Sequence, residues 1–169
     1  MRLATSNVAT EADPTLFLFS DGNSYDSDEK LVHEHDLLER DVELFRRYLY
    51  SDGKPKPTSK GVVGAELVDG LIIQESDYKL VKTRFSAFFN TNVHSYFQGI
   101  GVTNLVIIGV QTPNCIWQTV FDVVALDYQR VTVIIDATAV STPNIHIANI
   151  FDMKNVRVAT PTLEEWCQS

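Results

Sequence analysis

Cys115 is the residue with the clearest chemical potential. It stands in "GVQTPNCIWQT", residues 109–119, where an apolar strand ends, the chain turns and a helix opens. Thr112 and Pro113 have the character of an N-cap and a first helical residue, which puts Cys115 near the third helical position. The unpaired N–H groups and partial positive charge of a helix start favour a thiolate over a thiol. The same N–H groups suit an oxyanion forming on an attacked carbonyl. Spacing alone fits a second reading better, a small free cysteine packed behind a turn. The chain has two cysteines, Cys115 and Cys167, without CxxC spacing, so neither a disulfide framework nor a thiolate zinc site is expected.

Other residues have chemistry to offer. Lys82 lies near a strand end in "LVKTRFSAFFNT"; taken by itself it is the kind of lysine that water solvates. In "VHEHD", His33 and His35 point to one side if the segment is extended, with Asp36 beside them. These three are weak metal candidates, and the expectation is no metal, because a histidine pair at a strand exit is ordinarily structural or solvated. Phe85, Phe88 and Trp117 carry rings that suit an aromatic substrate. Core packing is the preferred reading for Phe88, whereas Trp117 fits either a pocket or a subunit interface. His146 fits a satisfied, partly buried side chain better than a base.

These residues need a scaffold, and the pattern supplies one. "KLVHEHD", "DYKLVKT", "NLVIIGV", "VTVIID" and "VRVAT" read as strands. "NLVIIGV" and "VTVIID" are continuous apolar runs of the kind buried on both faces of a parallel sheet. "LLERDVELFRRYLY", "SAFFNTNVHSYFQGIG", "PNCIWQTVFDVVALDY" and "TPNIHIANIFDM" have helical spacing, and "TLEEW" carries a capping-box pattern from Thr162 to Glu165. Alternation of strand and helix predicts an α/β fold, a mostly parallel sheet covered by helices on both faces. In such folds ligands sit at the carboxyl ends of the strands, and Cys115 lies just past one. Residues 1–30 are polar and acidic and read as a poorly ordered arm with one short strand at Leu16–Phe19, ahead of a regular domain over 31–169.

The totals set the outer bounds. The chain has 169 residues, 44% of them hydrophobic, a size and apolar content suited to one domain with a core. Its net charge of -8 argues against nucleic acid or an anionic membrane as the main partner. No apolar run approaches the ~18 residues of a membrane span, and no secretory or transit signal stands out, so a cytoplasmic protein is expected.

The stretch "NLVIIGVQTPNCIWQTVFDVVALDYQRVTVIIDAT" resembles the core of the isochorismatase-like cysteine hydrolases, the group that includes nicotinamidases. Gly109, Val110, Thr112, Cys115, Thr119, Asp136 and Ala137 match that pattern, and upstream Lys82, Ser86, Ala87, Phe88 and Thr91 match the family's lysine segment. The likeness runs from about Leu31 to Glu165 and looks closest to plant members with nicotinamidase-like labels. The resemblance implies that Cys115 attacks a small carboxamide and passes through a thioester. It also implies that Lys82 holds the thiolate, and that backbone N–H groups of Gln111 and Cys115 form the oxyanion hole beside a cis peptide at Val110–Gln111. Phe85 and Trp117 become the substrate-binding candidates. No cofactor is implied, the partner is a small amide, and self-association into a homo-oligomer is expected.

The chain departs from that pattern at its start. The family carries a catalytic Asp at the end of its first strand, in Asp-x-Gln, as the general base. Here the nearest equivalent is Asp21 after "TLFLF", with no Gln two residues on, and a spacer before His33 too short for a parallel crossover. The first strand and helix are therefore expected to be missing or altered. Metal-binding nicotinamidases use an Asp-x-His pair and a further His, and this chain has no Asp-x-His. The alternative function is accordingly an inactive or impaired homologue that binds a ligand or partner.

Overall fold

The computed structural model describes residues 15–19, 29–36, 38, 40–54, 56, 58–62 and 79–168. Five strands make one sheet: β1 (Thr15–Phe19), β2 (Glu29–His33), β3 (Lys79–Lys82), β4 (Asn104–Val110) and β5 (Arg130–Ala139), in the order β3-β2-β1-β4-β5. The helices are α1 (Val93–Gly99), α2 (Trp117–Ala125), α3 (Pro143–Asn155) and α4 (Leu163–Cys167).

Strand β4 shows why the sheet is central. Leu105 and Ile107 face one core with Val133 of β5, Phe97 of α1, Val120 and Val123 of α2, and Ile150 and Met153 of α3. Val106 and Ile108 face a second cluster with Ile134, against which Leu163 and Trp166 of α4 pack. Period-two alternation on a strand buried on both faces gives an unbroken apolar run, as "NLVIIGV" is. The α/β fold with helices on both faces is thus built as the pattern implies.

Strands β2 and β3 pair in parallel, as do β4 and β5. Strand β1 lies between β2 and β4 and runs antiparallel to both. The four other strands therefore point one way and share a carboxyl edge, where His33, Lys82 and Val110 end β2, β3 and β4. Leu16 pairs with Gly109 and Phe19 with Val106, so β1 starts at that edge and runs away from it. The short spacer accounts for the direction. Phe19 and Glu29 are joined by residues 20–28, less than the dozen or so a parallel crossover needs but enough to reverse the chain.

Three expected elements differ. The helix expected over "LLERDVELFRRYLY" is only a 3-10 turn at Leu44–Leu49. Leu44, Phe45 and Tyr48 face outward there, while Val42 and Tyr50 are buried. The helix expected from Ser86 starts at Val93 instead. Before it, Ser86 Oγ accepts from the Phe88 N–H and Thr91 Oγ1 donates to the Ala87 carbonyl, side-chain bonds that compete with a helical ladder. "VRVAT" is an edge contact, with a parallel bridge between Thr132 and Ala159. The Thr162–Glu165 capping box is formed.

Candidate active site

The chain turns sharply at the end of β4. Gly109 adopts φ +123°, which a residue without Cβ tolerates, and the Val110–Gln111 peptide is cis. A π-helical turn, Thr112–Ile116, carries Cys115 and runs into α2. Pro143 stands at the first position of α3, and His146 Nδ1 lies 2.9 Å from Thr112 Oγ1, tying α3 to this turn. Thr112, Cys115 and Ile116 are buried, so the turn is held by packing on several sides.

Lys82 arrives from the end of β3. Its Nζ lies 3.2 Å from Cys115 Sγ and donates to the carbonyls of Arg84 and Phe85 at 2.9 and 3.0 Å. An ammonium has three donors, and these three partners occupy them all. The side chain is fully buried, and burial pulls its pKa below the usual lysine value, opposed by the Cys115 sulfur and by the Glu43 carboxylate. In a contact of this kind an ammonium favours the thiolate form of a cysteine. The loop after Lys82 is pinned to α2: Ser86 Oγ donates to the Asp122 carboxylate, and the Ala87 N–H donates to Thr119 Oγ1 at 3.0 Å.

The histidine pair lies one strand away. His33 faces Lys82 across the β2–β3 register, and the rings of His33 and His35 are 4.8 Å apart. Both are 1% exposed; His35 Nδ1 lies 3.4 Å from an Asp41 carboxylate oxygen, and the other three ring nitrogens have no hydrogen-bond partner among the described residues. Burial holds the pKa of each below the ordinary imidazole value; for His33 the Lys82 and Arg46 charges add to this, whereas Asp41 opposes it at His35. The third member of this cluster is Glu43, which the sequence reading did not single out; one donor atom from each of His33, His35 and Glu43 lies within 4.8 Å of the others. Asp36, the weak candidate named beside the histidines, is 44% exposed and ion-paired with Arg40 at 3.8 Å, outside the cluster. The donor chemistry fits a divalent metal: two imidazoles held neutral and a carboxylate with one free oxygen.

Phe85 borders both groups. Its ring is 6.3 Å from that of His33 and 5.8 Å from that of Phe45, with the Arg46 guanidinium 5.1 Å from its centre. Trp117 stacks on Phe121 at 4.3 Å and donates its indole N–H to Asp152 of α3 at 2.7 Å, so its polar end is already engaged. Phe88 packs on the main core, as expected. Asp21 lies outside the described residues. Among the described residues, no carboxylate is hydrogen-bonded to Cys115 Sγ or Lys82 Nζ.

Residues 31–165 match the isochorismatase domain. The chain belongs to the isochorismatase family. It is 69% identical over 139 residues to a protein of Arabidopsis thaliana named "probable inactive nicotinamidase", covering 82% of this chain and 71% of that one. It is 33% identical over 110 residues to a ureidoacrylate amidohydrolase of Agrobacterium fabrum, covering 64% of this chain. That match spans 48% of the relative's length, so the chain covers about half of it. Among solved structures it resembles an isochorismatase family protein from Desulfovibrio vulgaris, with a TM-score of 0.75 and 35% identity, covering 83% of this chain and 73% of that one. Among the described residues no helix is long and apolar enough to cross a membrane.

Proposed function

We propose that the chain is a cysteine hydrolase of a small carboxamide, nicotinamidase-like in its chemistry, with Cys115 as nucleophile. The observation that carries this reading is the buried 3.2 Å pairing of Lys82 Nζ with Cys115 Sγ at the carboxyl edge of the sheet. Lys82 holds the thiolate. The sulfur attacks the carbonyl carbon, and backbone N–H groups of Gln111 and Cys115 receive the negative oxygen. The C–N bond then breaks, ammonia leaves with the proton lost by the thiol, and a thioester remains. Water supplies hydroxyl to the acyl group and a proton to the sulfur, releasing the acid. Strand β1 carries the chain away from this edge before it reaches Asp21, which speaks against Asp21 as the carboxylate that moves these protons; Phe85 is assigned the substrate ring, and Trp117 is a weaker substrate contact because its ring and N–H are already engaged. Ammonia release from nicotinamide by the purified chain, absent in Cys115→Ala, tests this. Equal rates in the two proteins overturn it.

A second reading is favoured by a specific observation. No carboxylate among the described residues bonds to Cys115 or Lys82, and β1 runs away from the catalytic edge. On this reading the chain binds a ligand or partner and turns over poorly or not at all. Grafting a parallel first strand ending in Asp-x-Gln then restores turnover, and turnover by the native chain excludes this reading. We also assign self-association to the protein, supported by Ile147 and Phe151 standing 64% and 66% exposed on α3.

A further inference from the structure

Cys115, Thr119 and Asp122 are spaced four and three residues apart along the π-helical turn and α2, which puts their side chains in one row on one side of the helix. Each meets the segment that follows β3. Cys115 Sγ lies 3.2 Å from Lys82 Nζ, Thr119 Oγ1 accepts from the Ala87 N–H at 3.0 Å, and the Asp122 carboxylate accepts from Ser86 Oγ. The first contact belongs to the nucleophile and the second holds the backbone. The third is made by a half-buried acid that is hydrogen-bonded to neither Cys115 Sγ nor Lys82 Nζ.

We propose that Asp122 is a positioning residue for the Lys82–Cys115 pair, acting through the Ser86 hydroxyl; this rests on the reading of Cys115 as the nucleophile. Lys82 Nζ has three donors, and two of them go to the Arg84 and Phe85 carbonyls at 2.9 and 3.0 Å. The direction of the third, toward the sulfur, is therefore set by where those two carbonyls stand. Ser86 shares a planar peptide with the Phe85 carbonyl, so fixing Ser86 fixes that carbonyl. Its hydroxyl is engaged on both sides, accepting from the Phe88 N–H at 3.1 Å and donating to Asp122, and the residue is 3% exposed. Thr91 Oγ1 donates to the Ala87 carbonyl at 2.6 Å and closes the loop behind it.

A carboxylate suits this task. It only accepts, so it draws the Ser86 proton toward α2 and leaves the hydroxyl oxygen to the Phe88 N–H. A hydrogen bond to an ionised acceptor is also about twice as strong as one between neutral groups. Removing Asp122 has two effects of opposite sign on Cys115. Loss of a nearby negative charge favours a thiolate and moves its titration to lower pH. Release of the loop loosens the ammonium from the sulfur and moves the titration to higher pH. Positioning predicts the second. A bond that serves only stability lowers the melting temperature and moves the titration in neither direction.

The test is the pH dependence of Cys115 alkylation by iodoacetamide in the full chain, read by peptide mass spectrometry so that exposed Cys167 serves as an internal control. Asp122→Ala and Ser86→Ala should each shift the Cys115 profile to higher pH and slow its alkylation at neutral pH by roughly threefold to tenfold, with Cys167 unmoved. Asp122→Asn keeps an acceptor and should recover most of the wild-type rate. The double variant carrying both alanines should be no slower than the slower single variant, because each substitution removes the same bond. Circular dichroism establishes folding; if Asp122→Ala does not fold, Ser86→Ala decides on the same readout. An unmoved profile in the folded variants overturns the proposal, and so does a shift to lower pH or a double variant whose losses multiply. Alkylation does not require amide turnover. A chain that releases no ammonia from nicotinamide and still shows these shifts therefore loses the hydrolase reading and keeps the positioning role.

Discussion

At the scale of single residues, Lys82 and Cys115 are one unit. Lys82→Met removes the charge that holds the thiolate, and a thiol left alone can take up a proton, so no uncompensated charge remains in the core. The variant also leaves the Arg84 and Phe85 carbonyls without their donor and should melt lower than the wild type, while alkylation of Cys115 by iodoacetamide at neutral pH falls about tenfold or more. Unchanged alkylation would show that Lys82 does not activate the sulfur. A pH effect follows from the lowered Lys82 pKa. Between the folded value and the unfolded value near 10.5, the unfolded chain binds more protons, so stability rises with pH through that window. Denaturation midpoints of the wild type should climb there relative to Lys82→Met; parallel curves would contradict the assignment. Cys115 was legible because its turn signals are local. Glu43 was not, because nothing in its spacing ties it to His35; only the fold of the intervening loop brings them together.

Elements carry the next set of consequences. Thr119 of α2 accepts from the Ala87 N–H and so fixes the loop that follows Lys82. Thr119→Val leaves that buried N–H unpaired and should cost about 1–3 kcal/mol, read by chemical denaturation; a neutral result would mean the loop is held elsewhere. Strand β1 is paired on both sides, so a proline at Phe17 removes a central ladder bond and should destabilise by about 3 kcal/mol or more. Tolerance of Phe17→Pro would show that β1 is not a central strand. The strands of the core were readable because burial on both faces writes a continuous apolar run. The direction of β1 was implicit in the short spacer after it, which forbids a parallel crossover and leaves reversal as the alternative. The 3-10 turn was misread as a helix because Leu44, Phe45 and Tyr48 recur at helical spacing yet are 79%, 65% and 66% exposed. An apolar stripe reports a face to be covered, not what covers it.

For the molecule as a whole, apolar side chains at the surface bear on assembly. Ile145, Ile147 and Phe151 of α3 are 43%, 64% and 66% exposed on a chain of net charge -8. Light scattering on a sizing column should give a multimer that shifts to smaller mass in Phe151→Ser; a monomeric wild type would remove self-association from the account. The same sheet edge gathers Lys82, the turn bearing Cys115 and the histidine pair, so the reaction assigned to the family member rests on one constellation. Its most direct test is intact and peptide mass spectrometry of the full chain, acid-quenched during incubation with nicotinamide. The account predicts a nicotinoyl thioester on the peptide containing Cys115, absent from Cys115→Ala and diminished in Lys82→Met. A chain that stays unmodified while releasing no ammonia would contradict it.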